Sequence, residues 1–206
     1  AEGSSEGRIK RRIIDALRRP LVRYGIGLYA WGAGLTFGFG GYWNIKLQEA
    51  CGCTAAEISK LEMGLFSGLA AGMIIAGILG GRVERLREIF RISTTLTLLL
   101  MAVTLMVSSS ASTDQLLALM VGLGLLFGTC SLSFAVAGYG LPANQSATVV
   151  AIVNAAGCLS GALLQALPIW LGAGNASDST VSITYLGIAL FGVWVAWRLP
   201  SLKDPD

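Results

Sequence analysis

Residues 61–80 read LEMGLFSGLAAGMIIAGILG, and the seven residues that follow, GRVERLR, contain three arginines. A helix needs about 20 mostly apolar residues to cross the hydrocarbon layer of a membrane, and this run has that length. Its one acidic residue, Glu62, lies near the start, and the arginines directly follow the end. The pattern predicts a transmembrane helix that ends at a cationic surface.

The composition of the whole chain agrees with this interpretation. Of its 206 residues, 54% are hydrophobic and only 13% are charged, whereas soluble domains average about 25% charged residues. A soluble core could not enclose so much apolar surface, so we expect the surplus to face lipid. A β-barrel would show strict alternation, and runs such as 97–103, TLLLMAV, do not alternate.

Six runs have the length and composition of membrane spans. They are 24–45, 61–80, 91–109, 116–138, 148–171 and 182–198. The sequence therefore predicts an all-α, polytopic membrane protein with three parts. These are a cytoplasmic linker with a basic interfacial helix (1–23), a six-helix transmembrane bundle (24–198) and a cytoplasmic tail (199–206).

The cations predict the orientation of the spans. With six spans, every Lys and Arg except Lys46 and Lys60 falls on one side of the membrane. Cationic loops stay in the cytoplasm, so both termini are expected there, in a bacterial inner membrane. Residues 8–19 combine cations with Ile13, Ile14 and Leu17, which is typical of either an interfacial helix on anionic headgroups or a simple positive-inside anchor.

Small residues divide the spans into two kinds. Pairs of glycines four residues apart, which let helix backbones approach closely, occur in spans 1, 2, 4 and 5. Span 3 has no Gly and was interpreted as apolar on all sides, and span 6 is largely apolar. We therefore expect spans 1, 2, 4 and 5 to pack inside and spans 3 and 6 to face lipid. The order inner, inner, outer occurs twice, which is typical of an inverted 3+3 repeat.

Three stretches resemble the C-terminal six-helix half of a major facilitator superfamily transporter. Residues 8–23 with the Gly-rich span 1 resemble the central loop and seventh helix of that family. Residues 77–87, GILGGRVERLR, resemble the basic loop after its eighth helix, with Gly81 where Asp is usual and Glu84 where Gly is usual. Residues 128–171 resemble its tenth and eleventh helices. The resemblance implies a second six-helix half, alternating access, a cavity between the halves, and gating by Arg82, Arg85 and Arg87.

Polar residues inside a membrane are costly and therefore indicate function or pairing. Glu62 is a candidate for proton or cation coupling, and the alternative is a carboxylate at headgroup depth that pairs with Lys46. Asn154 and Gln165 are eleven residues apart and share one helix face. They are candidates for solute binding or for hydrogen bonding between helices.

Span 1 adds an aromatic set to the candidate solute site. Trp31, Tyr42 and Asn44 suit an amphipathic organic solute, although Tyr42 and Trp43 also fit an interfacial aromatic belt. Pro168 is expected to kink span 5. Cys51 and Cys53 are expected to be free thiols or to pair between molecules, because two cysteines so close make a strained ring.

The absent residue types argue against catalysis. The chain has no His, which removes the His-dependent nucleophile pairs and His-ligated metals. No cofactor, metal or nucleic-acid partner is expected. The function that the sequence favours is secondary active transport of a small organic solute, with a coupling proton or Na⁺. The alternative is a non-transporting membrane subunit or assembly scaffold.

Overall fold

The computed structural model describes residues 5–173 and 179–202, and within these ranges it consists of helices and short turns with no strand. Five helices are long and apolar enough to cross a membrane. They are Ala55–Leu79, Val83–Val107, Thr113–Gly138, Gln145–Trp170 and Ser179–Arg198. The prediction of an all-helical fold is confirmed for the described residues, and five of the helices have the length and composition that a membrane span needs. The predicted tail is described only as far as Leu202.

Nine α-helices are numbered along the described part of the chain. They are α1 Ser5–Arg18, α2 Pro20–Gly34, α3 Asn44–Ala50, α4 Ala55–Leu79, α5 Leu86–Val107, α6 Thr113–Phe127, α7 Ser133–Gly138, α8 Ala143–Trp170 and α9 Ser179–Arg198. A π-helical segment, Leu35–Trp43, joins α2 to α3. Short 3-10 helices, Val83–Arg85 and Gly128–Leu132, precede α5 and join α6 to α7.

The first predicted span, 24–45, differs most from the prediction. The chain is helical from Pro20 to Ala50, but the π segment divides it, and its longest α-helical part has 15 residues. This region is not among the five helices above. Four of the eight residues 34–41 are Gly, which has a weak preference for the α-helix. The glycine-rich composition of this segment is therefore compatible with a change from the α-helix to the wider π turn.

Capping boxes begin two parallel helices at the same end of the bundle. Thr54 accepts from the Glu57 N–H while the Glu57 side chain accepts from the Thr54 N–H, and Ser112 and Gln115 do the same for α6. Each box satisfies backbone donors that a helix N-terminus leaves unpaired. The Thr113 hydroxyl also donates to Glu57 over 2.9 Å, which ties the two helix starts together.

Glycines bring two pairs of helices into close contact. A Cβ added at Gly68 or Gly72 of α4 would collide with the α6 backbone, and one at Gly124 would collide with α4. Between α2 and α8, glycines make room for side chains of the facing helix, with Gly34 against Ser160 and Gly157 against Tyr29. The prediction that these glycines permit close helix approach is confirmed.

The burial of the helices follows the predicted inner and outer order only in part, because the Thr113–Gly138 span, predicted inside, is the most buried at 50%, whereas the other spans do not separate into two groups. Within the chain, 28% of the α8 span is buried, against 33% for α4 and α5 and 39% for α9. The interpretation of α5 as apolar on all sides was wrong, because its buried face carries hydroxyls. These are Ser93, Thr94, Thr97 and Thr104, with Ser108 directly after the helix. Several donate to carbonyls of their own helix, as Thr94 does to Phe90 over 2.7 Å, so they pack like small apolar groups.

The cations gather at one end of the bundle. Arg19 donates to the Gly140 carbonyl over 3.4 Å, between α7 and α8. Arg91 donates to the Trp197 carbonyl over 3.2 Å near the end of α9. One groove at this end draws its lining from three separate stretches: Arg82, Tyr139 and Leu202. The opposite end holds Lys60, which pairs with Asp114 over 2.9 Å.

Candidate functional site

The C-terminal end of the π segment presents a buried amide to a carboxylate. Asn44 is fully buried and donates from Nδ2 to Oε1 of Glu62 over 2.6 Å. Asn44 begins α3 and Glu62 lies two turns into α4, so the bond joins the first two long helical stretches. At 2.6 Å the bond is short for an N–H···O hydrogen bond. Two residues predicted for separate roles, solute binding and ion coupling, thus lie in direct contact.

The hydrogen bonds continue away from Glu62 as a directed chain. Gln48, also fully buried, donates to Oδ1 of Asn44 over 3.3 Å. Its own Oε1 accepts from the Cys53 thiol over 3.6 Å. Burial raises the pKa of the Cys53 thiol, so the sulfur keeps the proton that it donates. Every donor in the series points toward Glu62, which makes the carboxylate the final acceptor.

Lys46 is not the partner of Glu62. Its Nζ lies 2.8 Å from Oε2 of Glu49, one turn further along α3, and both side chains are about half exposed. Positions three apart on a helix are neighbours, so this local pair forms easily. The predicted alternative of a Lys46–Glu62 pair was therefore wrong.

Asn154 and Gln165 both face the helix that contains the π segment. Oδ1 of Asn154 accepts from the Tyr29 hydroxyl over 3.3 Å. Nε2 of Gln165 donates to the Phe37 carbonyl, inside the π segment, over 3.0 Å. The predicted shared face is present, and both amides hydrogen-bond between helices. Asn154 nevertheless remains exposed and Gln165 is half-buried, so each keeps part of its polar surface free of the bundle.

Pro168 explains two further contacts around the π segment. Proline has no N–H, so the Leu164 carbonyl lacks its usual partner four residues later. The Tyr185 hydroxyl donates to that carbonyl over 2.8 Å. The neighbouring Gln165 carbonyl accepts from Trp43 Nε1 over 2.9 Å. Side chains from α9 and the π segment thus satisfy the backbone at the proline, and they fix α8 against both.

The two remaining aromatic candidates lie in different environments. Tyr42 is 36% exposed and meets the Trp43 ring edge-on, with centroids 5.5 Å apart. Trp31 is 1% exposed and packs against Gly192 of α9. Its Nε1 has no hydrogen-bond partner among the described residues. Tyr42 is accessible to a solute in this conformation. Trp31 is buried, so its side chain cannot contact a solute in this conformation.

The arginine loop lies at the cationic end, away from the site. Arg82 precedes the 3-10 helix, Arg85 is its last residue, and both are exposed. Arg87 is half-buried in the first turn of α5, and its Nε has no partner among the described residues. The loop is thus accessible to a second protein surface. Its gating role stays a prediction.

The described residues contain no group of three or more His, Cys, Asp or Glu side chains able to hold a metal. All four cysteines are free. The site is therefore a hydrogen-bonded carboxylate beside amides and exposed aromatic rings. Such a set can bind a polar group or a cation, and it can take up and release a proton at Glu62.

Sequence reasoning missed three members of this network. Gln48 was placed in a connector, although its position four residues after Asn44 puts both amides on one helix face. Tyr29 and Tyr185 carried no distinguishing pattern, because a single Tyr in an apolar span gives no indication of its partner. Pro168 was the available signal for Tyr185, since a proline inside a helix leaves a carbonyl that needs a donor.

No family model, no curated protein and no solved structure matches this chain.

Proposed function

We propose that this chain is one six-helix half of a secondary transporter of the major facilitator type, which moves a small organic solute by alternating access. The observation that carries the proposal is the pattern of helix packing. The first triplet is the Pro20–Ala50 helix with α4 and α5, and the second is the Thr113–Gly138 helix with α8 and α9. If the first, second and third helices of one triplet are swapped with those of the other, each major helix–helix contact becomes another contact of the fold.

Three kinds of helix–helix contact are consistent with this exchange. The second helix of each triplet packs along the first helix of the other, as α4 does on α6 and α8 does on α2. The third helices, α5 and α9, pack on each other, and each also contacts the first helix of the opposite triplet. Three spans per repeat give the repeats opposite membrane orientations, which is the arrangement common in transporters.

The helix irregularities occupy equivalent positions in the two triplets. The π segment, Leu35–Trp43, interrupts the first helix of the first triplet. The 3-10 helix Gly128–Leu132 interrupts the first helix of the second triplet. Transporters bind substrates and ions at discontinuous helices near the midplane, and π turns occur often at functional sites. The proposal therefore locates the solute and ion sites beside the π segment.

Named residues then take the following roles. Tyr42, Asn154 and Gln165 contact the solute, and Trp31 joins them in a conformation in which α9 has moved away. Asn44 contacts the solute or holds Glu62, which binds the coupling proton or Na⁺. Arg82, Arg85 and Arg87 act at the cytoplasmic gate. The cationic end faces the cytoplasm, as the excess of Lys and Arg there favours, so both termini are cytoplasmic.

The composition of the exposed faces of α8 and α4 supports a partner half. Their outward faces combine large apolar residues with small ones, including Ser67 and Ala70 on α4 and Ala151 and Ala155 on α8. Small residues suit close approach of another helix. The partner is an N-terminal six-helix bundle or a second copy, and lipid covers the remaining apolar surface.

Water access to α8 distinguishes transport from a scaffold role. Cys158 is exposed, lies one turn from Asn154 on the same face, and stands near the middle of α8. We expect Cys158, kept as the single cysteine in native membranes, to react rapidly with a charged, water-soluble thiosulfonate. A matched control with Leu190→Cys, on the exposed face of α9, should react far more slowly because it faces lipid. Equal, slow reaction at both positions would favour the scaffold alternative.

A further inference from the structure

The N-terminal helix α1 leaves three large apolar side chains partly exposed. Ala16 is 1% exposed and packs with Val22 and Val149 in a small core between α1, α2, α7 and α8. In contrast, Ile13, Ile14 and Leu17 are 36%, 42% and 40% exposed. The bundle therefore buries only one edge of α1 fully, and a stripe of three large apolar side chains keeps more than a third of its surface exposed.

Cations surround this stripe without compensation. Lys10, Arg11, Arg12 and Arg18 are all exposed. Among the described side chains of α1, the one ion pair joins Arg18 to Asp15, at 4.0 Å with both groups exposed. An exposed pair of that length contributes little. The surface thus pairs an apolar stripe with a clear excess of positive charge.

The position of α1 places this surface at the level where the spanning helices end. Arg19 has an extended backbone and Pro20 starts α2, so the chain changes direction between the two helices. Arg19 also binds the Gly140 carbonyl in the turn before α8. Tyr139, beside that turn, lines a groove with Arg82 from the α4–α5 loop. The α1 surface therefore belongs to the cationic end of the bundle.

We propose that α1 is an interfacial helix that binds the anionic phospholipids of the leaflet at this end of the bundle. The stripe Ile13, Ile14 and Leu17 enters the acyl-chain boundary, and the flanking cations contact lipid phosphates. A lipid surface accommodates both features together, because it offers apolar chains beneath a layer of negative charge. This inference concerns a lipid partner and does not depend on transport.

The test follows a fluorescent label on the stripe of the full chain. Leu17→Cys, in a background with the four native cysteines changed to Ala, carries an environment-sensitive nitrobenzoxadiazole group in nanodiscs. We expect a blue-shifted emission when phosphatidylglycerol is added to phosphatidylcholine. Arg12→Cys carries the same label on the cationic face and should keep a water-like emission in both lipids.

Charge removal and salt supply the controls. Arg11→Gln with Arg18→Gln should weaken the response to phosphatidylglycerol by about fivefold per cation, with unchanged thermal unfolding of the bundle. Near 1 M salt, where the screening length falls to about 3 Å, the response should also weaken. Emission from Leu17→Cys that is the same in both lipids would overturn the proposal. A change produced by an oligonucleotide in phosphatidylcholine alone would overturn it too, and would assign the basic face to nucleic acid.

Discussion

At the scale of single residues, the fold contains buried polar groups that need specific partners. Asn44 and Gln48 are fully buried and depend on each other and on Glu62. A buried donor or acceptor without a partner costs about 1–3 kcal/mol. The free-energy cost of substituting one of these residues should therefore depend on which of its hydrogen-bond partners remain.

We expect Asn44→Leu to lower the free energy of unfolding by about 1–3 kcal/mol, because Glu62 and Gln48 both lose a partner. Glu62→Leu alone should also destabilise, since it leaves the Asn44 amide unsatisfied. The double variant should cost less than the sum, with a coupling of about 0.5–3 kcal/mol. Unfolding in detergent, followed by tryptophan fluorescence, measures all three. Strict additivity would show that the contact contributes nothing.

A second expectation concerns the carbonyl that Pro168 leaves open. Tyr185→Phe removes the donor to the Leu164 carbonyl and should cost about 1–3 kcal/mol. In a Pro168→Ala background, residue 168 regains an N–H that can donate to Leu164. The same Tyr185→Phe change should then cost clearly less. Equal costs in the two backgrounds would mean that Tyr185 stabilises the fold by packing alone.

The residue types of this site were predictable from the sequence, whereas their pairing was not. An Asn, a Gln or a Glu inside an apolar run indicates a polar contact, because the membrane interior disfavours an unpaired polar group. The identity of the contact depends on how helices far apart in sequence meet. This is why the sequence does not identify Asn44 as the partner of Glu62, or Tyr29 and Tyr185 as hydrogen-bond donors.

At the scale of helices, glycines determine which backbones can touch. In α4, Gly72 lies against the Leu125 carbonyl of α6, while Gly77 has open space around its missing side chain. Both are helical glycines in the same helix. They therefore form a matched pair in which only the surroundings differ.

Gly72→Ala should destabilise the protein, because its Cβ would collide with backbone that has no side-chain freedom to move away. Gly77→Ala should be neutral or stabilise by up to about 1 kcal/mol, since Ala favours the helix. Thermal unfolding of the two purified variants in one detergent compares them directly. If both variants unfold at the same temperature, the tight α4–α6 contact is not a feature of the folded protein.

The helices themselves were largely predictable, and their irregularities were only partly so. Long apolar runs with few charges determined five spans, because a membrane leaves backbone groups no partner other than those of their own helix. The glycines at 34–41 indicated weak helix preference, but not the π geometry, which also depends on Gln165 and Trp43. The prediction that α5 is apolar on all sides failed because hydroxyls bonded to their own helix are well suited to packing inside, whereas Ile92, Leu99 and Met106 keep an exposed apolar face.

At the scale of the whole molecule, the sequence and the structure each place the cations at one end of the bundle, on different grounds. The cations of 8–23, 82–91 and 198 were assigned to one side from the count of spans alone. The structure gathers Arg19, Arg82 and Arg91 at one end of the bundle through contacts with other elements. The order of small residues suggests two related helix triplets, and the helix–helix contacts are consistent with that proposal.

We propose that six helices cross the membrane, including the interrupted Pro20–Ala50 helix, with the cationic end inside. Single cysteines at Lys60→Cys, Arg85→Cys and Arg11→Cys, in a background without other cysteines, can be labelled in cells with an impermeant maleimide. We predict that Lys60→Cys is labelled in intact cells, and that Arg85→Cys and Arg11→Cys are labelled only after permeabilisation. Labelling of Arg11→Cys in intact cells, with Arg85→Cys still protected, would contradict the account, because the Pro20–Ala50 helix would then not span.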